Sequence, residues 1–150
     1  MNKFTNILLA EDDNDDYLFF AETLQTISPF YNVIRVKNGL DCITYLKNQP
    51  KPDLIFLDLN MPLKNGIECL KFIKDTENLA FIPVIIYSTS HYIKDIDCAF
   101  KNDAHYYIVK PSDQHQLHEV LCILFERLSQ DKEKAVKGKF VVRITADMTT

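Results

Sequence analysis

Residues able to do chemistry sit at the ends of apolar runs in this sequence: Glu11, Asp12 and Asp13 after ILLA, Asp58 and Asn60 after LIFL, Ser88, Thr89 and Ser90 around the end of VIIY, and Lys110 with Pro111 after YYIV. A further run ends in Lys37 and Asn38 only. A carboxylate delivered by Leu54, Ile55, Phe56 and Leu57 needs a partner, because an isolated buried charge costs several kcal/mol. If the acids at 11–13 face Asp58 across a crevice, like charges disfavour their joint ionisation, and a hard divalent cation resolves the conflict. Mg²⁺ suits such a site, taking oxygen ligands, one or two carboxylates and several waters. Lys110 adds a mobile point charge able to pair with Asp58 or with a phosphoryl oxygen. The set makes Asp58 a nucleophile toward phosphorus, yielding an acyl phosphate, with metal and Lys110 absorbing developing charge and Ser88 donating a hydroxyl. Taken singly, Asn14, Asp15 and Asp16 read as a solvated helix cap and Lys110-Pro111 as an exit turn. Their conjunction at successive strand ends is what points to chemistry.

The elements that must position these groups follow from hydrophobic period. Strand-like runs fall at 4–10, 31–36, 53–59, 83–89 and 105–110, about every 25 residues. Between them lie helical stripes: Tyr17, Phe20, Ala21, Leu24 and Ile27; Leu40, Ile43 and Leu46; Ile67, Leu70 and Ile73; Ile93, Ile96, Ala99 and Phe100; Leu117, Val120, Leu121, Leu124 and Leu128. Ser90 and Ser112 are the expected N-caps of the last two helices. Strict alternation with near-continuous apolar strands predicts a doubly wound α/β domain, its parallel sheet covered on both faces. Ligands in such sheets bind beyond the carboxyl ends of the strands.

With 47% hydrophobic and 25% charged residues in 150, the chain fills one core. A net charge of −4 and a pI near 5.5 argue against direct nucleic-acid binding. Nothing resembles a signal peptide or a spanning segment, so a soluble cytoplasmic protein without membrane contact is expected. Cys42, Cys69, Cys98 and Cys122 lack metal or redox spacing and are expected as reduced core thiols. His91, His105, His115 and His118 show no ligand pattern and take surface or packing roles. One domain is expected over 1–130; from Asp131 a charged tail, 131–150, either lacks fixed structure or uses FVVRI at 140–144 as an added edge strand or a contact with another chain.

ILLAEDD, LIFLDLNMPLKNG, PVIIYSTS and YYIVKP, in that order and spacing from Asn6 to Leu128, resemble the response-regulator receiver domain of two-component signalling, in its single-domain chemotaxis-regulator-like form. The resemblance implies a flavodoxin-like α/β fold of five helices around a five-stranded parallel sheet in the order 2-1-3-4-5. It implies that Asp58 is the phospho-acceptor of a phosphorelay, with Mg²⁺ held by Glu11, Asp12, Asp58 and the Asn60 carbonyl. Lys110 and Ser88 are then the catalytic partners, Ser88 also the switch hydroxyl, and Tyr107 the aromatic whose rotamer reports phosphorylation. The family commonly holds the bond equivalent to Lys110-Pro111 in cis. The phosphodonor would be a sensor histidine kinase or a histidine phosphotransfer protein, and the output a switched surface read by a downstream protein. Such a protein is not an enzyme beyond catalysing its own phosphorylation and dephosphorylation. Glu11 stands where Asp is more usual and Thr89 where a small residue is commoner; Asn60 and Ser90 occupy positions that tune acyl-phosphate hydrolysis. A haloacid-dehalogenase-type Mg²⁺-dependent phosphatase would need an acid two residues after its nucleophile, where Asn60 stands. A flavodoxin-like cofactor protein would need a phosphate loop where EDDNDD would repel one. A receiver-like interaction module without phosphotransfer would have no use for the complete set of chemical residues.

Overall fold

A computed structural model describes residues 5–144; Phe4, within the first expected strand, and the polar end at 145–150 lie outside the described residues. Strands and helices alternate as β1 (Asn6–Ala10), α1 (Asn14–Ile27), β2 (Asn32–Val36), α2 (Gly39–Asn48), β3 (Leu54–Leu57), α3 (Gly66–Asp75), β4 (Val84–Ser88), α4 (Ile93–Lys101), β5 (Tyr106–Val109) and α5 (Gln114–Gln130). The five strands form one parallel sheet in the order β2-β1-β3-β4-β5.

Period-two alternation divides each central strand between two cores. Leu8, Ala10, Ile55 and Leu57 pack under α2 and α3 against Ile43, Leu46, Leu70 and Ile73. Ile7, Leu9 and Phe56 face the other side, against Phe20 and Leu24 of α1 and Leu121 and Leu124 of α5. All four residues of β3 are buried, which is why its sequence is apolar without interruption.

The helix starts differ from expectation at two places. Tyr92 occupies the cap position of α4 and makes no side-chain cap bond, while Ser90 Oγ donates to the Asp95 carboxylate instead. α5 is capped by Asp113 rather than Ser112, because a carboxylate oxygen there accepts from both His115 N and Gln116 N. Leu40 and Ile93 also leave their predicted stripes, being 46% and 75% exposed. Both lie in the first turn of a helix, α2 and α4. Cys42 and Cys69 are buried, but Cys98 and Cys122 are exposed, one position off the inward-facing Ala99 and Leu121.

Two glycines allow three segments to meet beside β3. A Cβ on Gly39 would lie 1.9 Å from the Lys64 carbonyl oxygen, and one on Gly66 2.4 Å from that of Asp58. The β3–α3 loop between them turns tightly, Lys64 N donating to Pro62 O at 2.8 Å around Leu63 at φ 71°. Asn65 and Glu68 then close a reciprocal capping box that starts α3.

After α5 the chain turns back along the open side of β5. Ala135 N donates to His105 O (3.2 Å), Tyr107 N to Phe140 O (3.0 Å) and Val142 N to Tyr107 O (2.9 Å), with a parallel bridge between Tyr107 and Val141. Phe140, closing a 3-10 turn at Lys137–Lys139, enters the core on the α4 side and Val142 the core on the α5 side, and among the described residues the pairing with β5 stays a single bridge rather than a sixth strand. Among the described residues no helix is long and apolar enough to cross a membrane.

Gly39→Ala should force α2 away from the Lys64 carbonyl and lower stability by about 1–3 kcal/mol. Urea unfolding measures this, and an unchanged midpoint would mean the approach relaxes freely.

Candidate functional site

The backbone ladder runs one residue past the strands and fixes the groups that matter. Glu11 N donates to Val36 O (2.9 Å), Asp58 N to Ala10 O (3.1 Å) and Lys110 N to Ser88 O (2.8 Å). Each side chain therefore leaves from a rigid strand end, on the edge where the three loops meet.

Lys110 is the centre of the cluster. Its Nζ lies 2.6 Å from Glu11 Oε1, 2.9 Å from Asp58 Oδ2 and 2.9 Å from Asp16 Oδ2. The side chains of the lysine and the first two acids are at most 8% exposed, whereas Asp16 reaches in from the first turn of α1 with its side chain 42% exposed. The remaining oxygens are also held: Asp58 Oδ1 accepts from Asn60 N (3.1 Å) and Glu11 Oε2 from Asp13 N (3.2 Å). Burial would by itself lower the Lys110 pKa, but the hydrogen bonds it donates to Asp16 and Glu11 and the Asp58 charge drive it upward, so the ammonium persists. Burial pushes Glu11 up to about 7, against the opposing pull of Lys110.

Glu11, Asp12 and Asp58 offer three carboxylate oxygens within 4.8 Å of one another, Asp12 on the solvent side. This all-oxygen donor set fits a hard divalent cation, and the exposed flank leaves room for the waters such an ion keeps. Asn60 bonds the site through its N–H, beside Asp58.

Ser88 is buried, and its Oγ accepts from Ser90 N at 3.2 Å, leaving its own proton to donate. The Tyr107 ring, whose rotamer the resemblance leaves to phosphorylation, is already inside: it is buried, and its hydroxyl donates to Ser90 O at 2.8 Å. Burial raises the Tyr107 pKa, with hydrogen bonding to Ser90 opposing. The cis bond implied at Lys110-Pro111 is not found; among the described residues every peptide is trans, the intrinsically favoured isomer even before proline.

Three contributors escaped the sequence. Asp16 reads as an ordinary first-turn acid, yet its spacing from the cap Asp13 turns it toward Lys110. Tyr87, hidden in an apolar run, puts its ring 5.3 Å from Lys110 Nζ. Arg35, on β2, donates Nε to Glu11 O (2.9 Å) and Nη1 to Asn14 Oδ1 (2.7 Å) while lying 4.9 Å over the Tyr17 ring, and so clamps the acidic loop. A charged residue inside β2 was the available signal.

Comparison with known proteins agrees with this geometry. Residues 7–122 match the response regulator receiver domain. The response regulator Rcp1 of Synechocystis sp. is 33% identical over 121 residues, covering 77% of this chain and 82% of that protein. The crystal structure of the phosphorylated cyanobacterial phytochrome response regulator RcpA superposes with a TM-score of 0.76 at 31% identity, over 85% of this chain and 95% of that one. The Mn²⁺-bound form of Rcp1 superposes with a TM-score of 0.71 at 29% identity, over 89% and 97%.

The raised Glu11 fixes the direction of a pH effect. A carboxyl held at about 7 in the folded chain favours folding while protonated, and that contribution is lost as pH rises through about 7. A cation needs the ionised form, so divalent-cation affinity should fall as pH drops below about 7, with proton release on binding. Calorimetry at about pH 6 and about pH 8, in buffers of different ionisation heat, checks this, and Glu11→Gln should abolish the proton release.

Proposed function

The chain belongs to the response regulator receiver domain family, and from that footing we propose that Asp58 accepts a phosphoryl group from a phosphohistidine, with Mg²⁺ as the cation. The observation that carries the reading is the buried Asp58 carboxylate held by Lys110 at 2.9 Å beside Glu11 and Asp12. In the transfer an Asp58 carboxylate oxygen forms a bond to phosphorus as the donor's N–P bond breaks, and the imidazole leaves with a proton from solvent. Lys110 moves with the charge: its ammonium, shared among three carboxylates, can turn to a phosphoryl oxygen without leaving the cluster. Ser88 donates its hydroxyl to another, and the Asn60 N–H steadies the carboxylate. Glu11, Asp12, Asp58 and the Asn60 carbonyl would hold Mg²⁺, which supplies neutralisation of the phosphoryl oxygens. The Mn²⁺ carried by the related Rcp1 supports a divalent ion here.

The donor is a histidine kinase or a histidine phosphotransfer protein, and the recipient of the signal is another protein. The chain acts on its own Asp58 rather than turning over a separate substrate, and it works in the cytoplasm, where those donors present their phosphohistidines. The acidic balance of the chain, −4, supports a protein rather than a nucleic acid as the direct target.

Acetyl phosphate with Mg²⁺ should add one phosphoryl group, seen by intact mass, and Asp58→Asn should take none. An undiminished adduct on that variant would place the acceptor elsewhere. Asp12→Ala should lose labelling and weaken Mg²⁺ binding while leaving the fold intact, since it removes an exposed charge from a crowded acidic set.

A further inference from the structure

The three carboxylates that share the Lys110 ammonium do not stand equally toward a cation. We infer that Asp16 is the positioning residue that keeps Lys110 at the site while a divalent cation is bound, so that ammonium and cation can face one anion together. The inference rests on the cation part of the reading above; it does not need Asp58 to be the phospho-acceptor.

The three N–H donors of Lys110 Nζ are matched by three oxygens: Glu11 Oε1 at 2.6 Å, Asp58 Oδ2 at 2.9 Å and Asp16 Oδ2 at 2.9 Å. Glu11 and Asp58 also belong to the set of carboxylates gathered within 4.8 Å, which Asp12 completes rather than Asp16. Their other oxygens are already engaged, Glu11 Oε2 by Asp13 N at 3.2 Å and Asp58 Oδ1 by Asn60 N at 3.1 Å. A cation drawing on these two acids therefore competes with Lys110 for the oxygens it holds, and ammonium and cation repel each other as like charges. Asp16 is the partner outside that contest.

The fold keeps Asp16 in place. Its N–H donates to the cap oxygen Asp13 Oδ1 at 2.9 Å, and Arg35 holds the start of the same helix through Asn14 at 2.7 Å. A carboxylate in this first turn also faces the positive end of the helix dipole. Lys110 is fixed at its own root by the bond from its N to Ser88 O at 2.8 Å, and its Nζ lies 5.3 Å from the Tyr87 ring. Stripped of Glu11 and Asp58, an ammonium with no third partner would turn to water, because a buried charge without a counter-charge is costly. With Asp16 it stays, and the 42% exposed side chain of that acid has room to follow it as it swings toward an arriving anion. Asp16 thus acts through Lys110 and touches no reacting atom.

The test compares the full-length chain with Asp16→Ala and with Asp15→Ala, which removes the same charge from the same turn but not a partner of Lys110. The probe is Mg²⁺ alone. NMR of the lysine ammonium nitrogens reports whether the Lys110 donors are held, calorimetry reports cation binding, and intact mass after acetyl phosphate reports labelling. In the parent and in Asp15→Ala the Lys110 signal should survive saturation with Mg²⁺. In Asp16→Ala it should be present before the cation is added, showing the site formed, and vanish into solvent exchange at saturation. Labelling of that variant at saturating Mg²⁺ should slow about 10- to 100-fold, the usual cost of losing a group that orients a metal site. A signal that survives Mg²⁺ in Asp16→Ala would overturn the inference, as would its loss in the parent or an Asp15→Ala that behaves as Asp16→Ala does. Absence of the signal from Asp16→Ala before any cation is added would overturn it too, since Asp16 would then hold Lys110 in the resting site. A parent that binds Mg²⁺ and takes no phosphoryl group would overturn Asp58 as acceptor, with the ammonium signal still deciding the role of Asp16. A parent that binds no divalent cation would overturn both.

Discussion

One ammonium group holds the working end of this molecule together. Lys110 directly follows β5, and Glu11, which it touches, directly follows β1, three places away in the sheet. At the usual strand spacing that is about 14 Å, more than an unaided lysine spans. The contact is made because Lys110 crosses the ring of Tyr87 on β4 and because the side chains of the strand ends converge over the crevice. Without the ammonium, Glu11 and Asp58 would be two buried carboxylates with no counter-charge. With it, a sheet that must be apolar to fold can still present ionised oxygens at its edge, and the same positive charge is available to whatever anion arrives there.

That arrangement requires the loops to come very close. Gly66 lets the start of α3 lie on the carbonyl of Asp58, and Gly39 lets α2 lie on the loop before it. The acidic loop after β1 is pinned from the far side by Arg35. The Asp58 carboxylate is therefore held by the Asn60 N–H and by the Lys110 ammonium, in a strand end that the start of α3 approaches closely at Gly66. Leu63, 71% exposed, takes a left-handed φ of 71° in the turn of this loop.

Much of this was legible in the sequence, for a physical reason. Strands buried on both faces cannot hide a polar residue in mid-run, so LIFL and VIIY announce their own ends, and the first polar residue after each is a strand-end group. Helix starts were harder: Ser90 and Ser112 look like caps, but the competition among neighbouring acceptors is settled in space, by Asp95 for one and Asp113 for the other. Asp16 and Tyr87 were invisible as site residues because each also satisfies an ordinary role, a first-turn acid and a core aromatic. The segment FVVRI announced alternation without saying what it pairs with; only the position of β5 at the sheet edge decides that.

The pairing of Lys110 with Glu11 joins residues 99 apart in the chain. During synthesis, β1 leaves the ribosome long before β5, and the acids of the first loop wait without their counter-ion while three further strands are made. The crevice gains its ammonium only when the sheet has its last strand. A truncated or stalled chain thus carries the Asp58 and Glu11 carboxylates but not the ammonium that pairs with them, and the parallel topology makes the assembled cluster a property of the finished sheet.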